Sequence, residues 1–318
     1  MKLCRVAKPG FFTTVQDLGR YGFHRYGVPI SGAMDAYSFV VANLLVDNNP
    51  QDAGFEITLV GPRLEFLAET EVAITGADLS PTINGELVCL WRTLQILDGD
   101  VLSFGPSVGG CRAYLAARGG IDVPSVLGSR STYVRGSFGG FNGRELREGD
   151  IIGAAKHKIS SRGGFMLPQE LVPQYYDDFS VEVVLGPQSG FFTKDGLETF
   201  LSSTYTVTIE SDRMGYRLDG NEIERREGQR MISDAIPVGA IQVPESGRPI
   251  IMMRDAQTTG GYPKISVVVT PDVSRLAQAR PNDTVSFSAI SLSNAREKYV
   301  RFSRAFAQIK GRLGKLKS

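Results

Sequence analysis

Apolar and polar positions alternate over short stretches through most of this chain. Runs rich in Val, Ile, Thr and Phe, bounded by Gly, Pro, Asn or Asp, recur at Glu71–Thr75, Val101–Phe104, Ala113–Ala117, Val181–Leu185, Tyr205–Ile209, Pro249–Met253 and Thr284–Phe287. That spacing predicts many short strands, and so sandwiches or barrels rather than a doubly wound parallel sheet. Two segments follow helical spacing instead. Met34–Val46 puts Met34, Tyr37, Val41, Leu44 and Leu45 on one face of a helix. From Ala295 the apolar positions Ala295, Tyr299, Phe302, Phe306, Ile309, Leu313 and Leu316 recur at steps of four and three. The other face of this tail carries Arg296, Lys298, Arg301, Arg304, Lys310, Arg312, Lys315 and Lys317. The pattern predicts a basic amphipathic helix packed on its own protein, opening at a capping box of Asn294 and Glu297.

The strand pattern repeats in order along the chain. Leu59-Val60-Gly61-Pro62 recurs as Val184-Leu185-Gly186-Pro187, Ile74-Thr75-Gly76-Ala77-Asp78 as Ile209-Glu210-Ser211-Asp212, Gly119-Gly120 as Gly260-Gly261, and Arg147-Glu148-Gly149-Asp150 as Arg280-Pro281-Asn282-Asp283. Order and rough spacing are both kept, which favours an internal duplication. The expected organisation is an N-terminal loop and helix over 1–54, a β-barrel-like domain over 55–155, a linker over 156–177, a second β-barrel-like domain over 178–292, and the tail helix over 293–318.

Composition narrows the function classes. The chain has 318 residues and 42% hydrophobic content, enough for two cores. A net charge of +1 gives no electrostatic case for nucleic acid. No apolar run reaches membrane-spanning length, and the start, MKLCRVAKPGF, lacks a signal-peptide core. Cys4, Cys89 and Cys111 show no metal-site spacing and fit a reducing compartment, so a cytoplasmic location is expected.

Candidate chemistry gathers in three clusters. The first is TTVQDLGRYGFHRYGVPISGAMD, Thr13 to Asp35, in which Gly19, Gly22, Gly27 and Gly32 separate side chains able to read a polar ligand: Gln16, Asp17, Arg20, His24, Ser31 and Asp35. The second is Ser211-Asp212-Arg213-Met214-Gly215-Tyr216-Arg217. The third is Arg254-Asp255-Ala256-Gln257-Thr258-Thr259-Gly260-Gly261-Tyr262-Pro263-Lys264. Asp212 and Asp255 are candidate general bases or amide acceptors. Arg20 and Arg213 can fork onto a carboxylate or phosphate. Gln257, Thr258 and Thr259 offer neutral hydrogen bonds to a carbonyl or urea-like group, and Lys264 offers an ammonium. An Asp-Arg neighbour pair is also the signature of a structural ion pair, and paired threonines often cap turns. His24 and His157 are the two histidines, so a Ser-His-Asp machine has one realistic base. Gly105-Pro106-Ser107-Val108-Gly109 spells a nucleophile elbow, but a strand rather than a helix is expected after it. No GxxxxGK[ST] loop and no Met-Lys-Met biotin attachment site occurs, and no metal site is indicated.

At these clusters the chain resembles a known family. FTTVQDLGRYG, GVPISGAMD, ITGADLSPTING, YLAARGGIDVPSVLGSRSTY, SDRMGYRL, AIQVPESGRPIIMMRDAQTTGGYPKI and LAQARPNDTVSF are similar to the C-type component of 5-oxoprolinase, the biotin-dependent carboxyltransferase-like family also labelled allophanate hydrolase subunit 2. The resemblance implies a mainly β fold of two tandem cyclophilin-like β-barrels. It implies a smaller partner, the B-type component of 5-oxoprolinase, and a third hydrolase subunit. Together these open 5-oxoproline to L-glutamate, with ATP and Mg2+ supplied at the level of the complex. No covalent biotin is expected on this chain. Relatives include the carboxyltransferase part of urea carboxylase, acting on urea-like amides, and Kip-type regulators that antagonise a kinase inhibitor. By this resemblance Asp255 and Gln257 are the first choices for amide recognition, followed by Asp212 and Arg213. The chain departs from the family pattern at Ala235 and Ala256, where glycine is common.

Overall fold

A computed structural model describes residues 1–156, 164–226, 228 and 231–315, the side chains of the last three excepted. His157, Leu316 and Lys317 therefore lie outside the described residues, as do the side chains of Leu313 and Lys315. The chain forms two compact units: Met1–Arg20 with Ser31–Tyr175 and the helix from Arg304, and Tyr21–Ile30 with Tyr176–Ser303. All seven strand runs expected from the alternation are found as strands.

In the first unit the strands are β1 (Lys2–Lys8), β2 (Phe12–Gln16), β3 (Gly54–Thr58), β4 (Arg63–Phe66), β5 (Thr70–Asp78), β6 (Thr82–Ile83), β7 (Glu86–Leu87), β8 (Thr93–Ile96), β9 (Val101–Ser103), β10 (Gly109–Ala117) and β11 (Ile151–Gly153). One sheet runs β11-β1-β4-β9-β6-β7 and the other β2-β3-β10-β5-β8. Their apolar faces make one core: Leu3, Val6, Leu64, Leu102 and Ile152 come from the first sheet, and Val15, Phe55, Ile57, Ile74 and Leu115 from the second. Helix α1 (Ala36–Leu45) packs on the second sheet, where the Phe39 ring meets Tyr114 edge-on with centroids 6.0 Å apart.

Three expectations change here. Residues 1–54 do not stand outside the barrels, because β1 pairs with both β4 and β11 and β2 pairs with β3. Their alternating apolar residues supply core, and removing them would open two sheet edges. The described part of the 156–177 linker is not a free connection either. Phe165 and Leu167 are buried with α1 and Trp91, and Tyr37 Oη donates to Leu171 O at 2.7 Å. This apolar cover explains why α1 is buried from Ser38 through Leu45 rather than on one face.

The second unit is a closed barrel of β12 (Asp178–Leu185), β13 (Thr204–Val207), β14 (Gly215–Asp219), β16 (Ala240–Gln242), β17 (Ile250–Met252), β19 (Lys264–Val268) and β20 (Thr284–Ala289), ordered β12-β19-β16-β17-β14-β13-β20. A small two-stranded ribbon joins β15 (Asp234–Ala235) to β18 (Thr259–Gly260). Closure comes from β12 and β20, which pair in parallel from Asp178–Thr284 to Val183–Ala289. Along β12 the buried residues alternate as Phe179, Val181 and Val183, the period-two pattern of a strand with one face inward. Helix α2 (Lys194–Ser202) places Phe200 against Phe287, with stacked rings 4.6 Å apart, and α3 (Thr270–Leu276) follows β19.

The tail forms α4 (Leu292–Lys315). Its N-cap lies three residues before the expected one. Ser291 Oγ accepts from Asn294 N at 3.2 Å, and Ser291 O accepts from Ala295 N at 3.0 Å. Ser291 is thus the N-cap, and Asn294 already lies within the first turn. Ile309 is buried and Phe306 packs beside it in the first unit, as the apolar stripe requires, whereas Tyr299 is exposed. Lys298, assigned to the solvent face, instead pairs in the second unit with Glu182 at 2.6 Å. Among the described residues no helix is long and apolar enough to cross a membrane.

Replacing the true cap should lower stability while replacing the sequence-predicted one should not. Ser291→Ala is expected to cost about 1 kcal/mol and Asn294→Ala close to nothing, read from urea unfolding midpoints.

Candidate functional site

A buried bidentate ion pair between two of the predicted residues lies where two turns meet in the second unit. Before β14, Asp212 closes a tight turn: its Oδ1 accepts from Met214 N at 2.7 Å and from Gly215 N at 3.2 Å, the local bonding for which aspartate is favoured in turns. After β17 a second turn runs from Met253 to Ala256. Backbone bonds lace the two together, Met253 N to Met214 O at 2.9 Å and Asp255 N to Arg213 O at 2.8 Å. Across that lacing Arg213 forks onto Asp255, Nε to Oδ2 at 2.9 Å and Nη2 to Oδ1 at 3.2 Å. Both side chains are under a tenth exposed. The structure therefore joins Arg213 and Asp255, as their residue types allowed, and gives Asp212 a turn-closing contact on the exposed side.

Downstream of Asp255 the chain alternates. Ala256 is buried, and its methyl packs with Ile236, Ala240 and Met252. Gln257 is exposed. Thr258 is buried and its carbonyl accepts from Ile236 N at 3.0 Å, while Thr259 is exposed in β18. Gln257 and Thr259 thus stand open to a ligand beside the buried pair.

Lys264 lies elsewhere on the barrel. Gly239 N donates to Met252 O and Val268 N donates to Gly239 O, which marks the end of β17 and β19 from which the Asp255 turn leaves. Lys264 opens β19 at its other end, opposite Gln242. Its Nζ donates to Asp234 Oδ2 at 2.8 Å and to Ala235 O at 2.9 Å, and Gln188 Nε2 also reaches Asp234 Oδ2 at 3.0 Å. The Lys264 ammonium and the Ala235 N–H hold the Asp234 carboxyl below the usual carboxylate range. Gln188 and Asp234 were not legible in the sequence. Nothing in their spacing from Lys264 announces a contact made through barrel closure and a ribbon.

The opening run is divided between the units, Tyr21–Ile30 counting with the second. In the first unit Asp17 is a buried hub. Its carboxylate accepts from Gly19 N at 2.7 Å, Ser129 Oγ at 2.7 Å and Arg130 N at 2.6 Å, and also from Ser131 Oγ. Arg20 is buried, donates to Ser131 O, and lies over the Phe138 ring at 4.9 Å. Gln16 is buried in β2 and donates to Thr14 Oγ1 at 3.0 Å. Ser31 is buried in a left-handed conformation (φ 54°). Gly32 beside it admits no side chain, because a Cβ there would sit 2.7 Å from Gly19 N. Asp35 caps α1 through Ser38 N at 3.1 Å, and its backbone N–H donates to Tyr114 Oη. Tyr114 Oη in turn donates to Glu56 Oε2 at 2.8 Å. Burial first, then the charge of Glu56, pushes the Tyr114 hydroxyl well above its ordinary pKa, so it stays a neutral donor. These side chains tie loop to sheet. Ser129, Ser131, Glu56 and Tyr114, their partners, were missed because they come from distant strands and turns. A cavity of about 160 Å³ in the same unit is lined by Pro9, Phe11, Phe12, Thr13, Glu145 and Arg147, and of the run's polar residues only Thr13 reaches it. Among the described residues no group of three or more His, Cys, Asp or Glu is arranged to hold a metal ion.

Residues 26–289 match the family described as "Carboxyltransferase domain, subdomain A and B". The chain is 35% identical over 311 residues to the C-type component of 5-oxoprolinase from Escherichia coli, covering 98% of this chain and 99% of that one. It is 38% identical over 313 residues to urea amidolyase of Lachancea kluyveri, covering 92% of this chain and 17% of that protein. The crystal structure of the K. lactis urea amidolyase superposes with a TM-score of 0.91 at 34% identity over 97% of this chain, which spans about a fifth (20%) of that one.

The Asp17 hub should behave as structure. Asp17→Ala leaves several buried donors without an acceptor and should cost roughly 3 kcal/mol or more in unfolding free energy, visible as a lowered melting temperature without any ligand. An unchanged melting temperature would return Asp17 to the ligand-reading residues.

Proposed function

The chain belongs to the family of carboxyltransferase domains built from subdomains A and B, and on that premise we propose that it is one subunit of an ATP-dependent 5-oxoprolinase. Acting with a smaller partner and a third hydrolase subunit, it binds 5-oxoproline and prepares the lactam for opening to L-glutamate. The observation that carries this reading is the Arg213–Asp255 fork with Gln257 exposed just after its turn and Thr259 exposed in β18. Similarity along nearly the whole of the E. coli protein supports it.

A lactam presents one N–H donor and one carbonyl acceptor on the same edge. A carboxylate held by a guanidinium keeps its position and its charge, and so suits the N–H. The Gln257 amide N–H and the Thr259 hydroxyl suit the carbonyl. ATP, with Mg2+, belongs to the assembled complex. The γ-phosphoryl group passes to the lactam oxygen, ADP leaves, and water then adds to the activated carbon. The C–N bond breaks as the nitrogen takes up a proton, leaving an acyl phosphate, and a second water cleaves this to glutamate and phosphate. In this scheme Asp255 accepts the lactam N–H, which orients the ring and raises the electron density of the carbonyl oxygen that takes the phosphoryl group, while Lys264 stays held by Asp234 and Ala235 O at the far end of β19. A second reading, transfer of a carboxyl group to a urea-like amide from a separate biotinylated protein, is supported by the fit to the urea amidolyase structure. It uses the same amide-reading residues.

The test is reconstitution. The chain mixed with its partner proteins should release glutamate from 5-oxoproline only when ATP is present, and Gln257→Ala should raise KM several-fold with little change in folding. Turnover independent of Gln257 would remove the turn from the site. Activity that requires a biotinylated carrier and urea instead of 5-oxoproline and ATP would select the second reading.

A further inference from the structure

Of the cations Arg213, Arg254 and Lys264 in the second and third sequence clusters, two are committed. Arg213 is forked onto Asp255, and Lys264 Nζ is held by Asp234 and Ala235 O. Arg254 differs. It sits between the fully buried Met253 and the buried Asp255. Its Nε is buried with no hydrogen-bond partner, and among the described residues its guanidinium makes no ion pair. The residue as a whole is only partly buried, and its two terminal nitrogens do not join Nε among the buried orphan atoms, so they face solvent. The neighbouring Asp255 carboxylate is taken by Arg213, and among the described residues no other carboxylate pairs with Arg254. A guanidinium that is part desolvated and unpaired lacks a compensating acceptor, and burying a polar group unpaired is unfavourable. Its planar fork matches an oxyanion in geometry.

We propose that Arg254 is the anion-recognising residue of this turn, and that it takes a carboxylate or phosphate oxyanion of the ligand while Arg213 serves only to position Asp255. The carboxylate form of the proposal rests on the 5-oxoproline reading; the oxyanion site itself does not. An amide held by Gln257 and Thr259 then has its acidic substituent bound by the residue immediately before Asp255, and a ligand without an anionic group loses that contact.

The experiment titrates three probes, L-5-oxoproline, its carboxylate-free analogue 2-pyrrolidinone, and inorganic phosphate, onto the full chain in complex with its partner proteins, for wild type, Arg254→Met and Arg254→Lys. Because Arg254 makes no ion pair, both variants should melt close to wild type. Arg254→Met should weaken the oxyanion probe roughly 10- to 100-fold, the scale of a lost charge-assisted hydrogen bond, and Arg254→Lys should weaken it less. Binding of 2-pyrrolidinone should not change. A loss confined to 5-oxoproline identifies a carboxylate as the partner, and a loss confined to phosphate identifies a phosphoryl group. The proposal is overturned if neither anionic probe binds the wild type, if Arg254→Met binds both as wild type does, or if it loses 2-pyrrolidinone to the same extent, which would mark a structural role. If Arg254→Met does not fold, an Arg254→Lys variant that folds and binds both anions like wild type overturns it equally. Arg254-dependent phosphate binding in a wild-type complex that turns over no 5-oxoproline would sink the oxoprolinase reading alone.

Discussion

Taking a guanidinium and a carboxylate out of water costs several kcal/mol for each ion, and the cost is offset only when the two meet in good geometry with their remaining valences satisfied. Arg213 and Asp255 meet that condition in the second unit, bidentate and both under a tenth exposed. The rest of the site is arranged around them. Because the pair is reinforced by backbone bonds between the Arg213 and Asp255 turns, neither turn can shift without breaking it. Arg254 in the second turn, Gln257 just after it and Thr259 in β18 therefore follow directly from a fixed frame. A ligand meeting them loses little entropy in ordering the protein.

The same logic, with neutral donors in place of a cation, holds the opening run of the first unit. Asp17 collects Ser129, Arg130, Ser131 and Gly19 around one carboxylate, and the Glu56–Tyr114–Asp35 chain anchors the start of α1. Buried polar networks of this kind specify an arrangement to the extent that they are satisfied: the Asp17 carboxylate is, whereas Gln16 Oε1 and Ser31 Oγ of the same run are buried with no hydrogen-bond partner. Asp17 and Asp35, residue types suited to ligand recognition, also serve internal order here, and Gly32 is required by close backbone packing against Gly19.

This difference sets the limit of what could be read from the chain. Strand periodicity is a local signal, so Val181–Leu185 or Thr284–Phe287 could be located without knowing their neighbours. The family motifs likewise pointed to Asp255 and Arg213. Partnership across the fold leaves no such mark. That Arg213 would turn inward onto Asp255, that Lys264 would be held by Asp234, and that Phe165 and Leu167 would seal α1 depend on which segments the closed barrel and the paired sheets bring together. The tail shows the same limit on a small scale. Asn294 with Glu297 spells a capping box, yet Ser291, an equally good cap three residues earlier, takes the position. Ala256 was visible as a departure from glycine, but its role as packing against Ile236 and Met252 was not.

If the Arg213–Asp255 pair is the fixed frame of the site, a double-mutant cycle in urea unfolding will show it. Arg213→Met and Asp255→Leu should each cost about 3 to 5 kcal/mol, since each leaves one buried charge without its partner, and the double variant should cost much less than their sum. Two small, additive effects would contradict this, because they would mean that the pair is solvated and that the turns are held by something else.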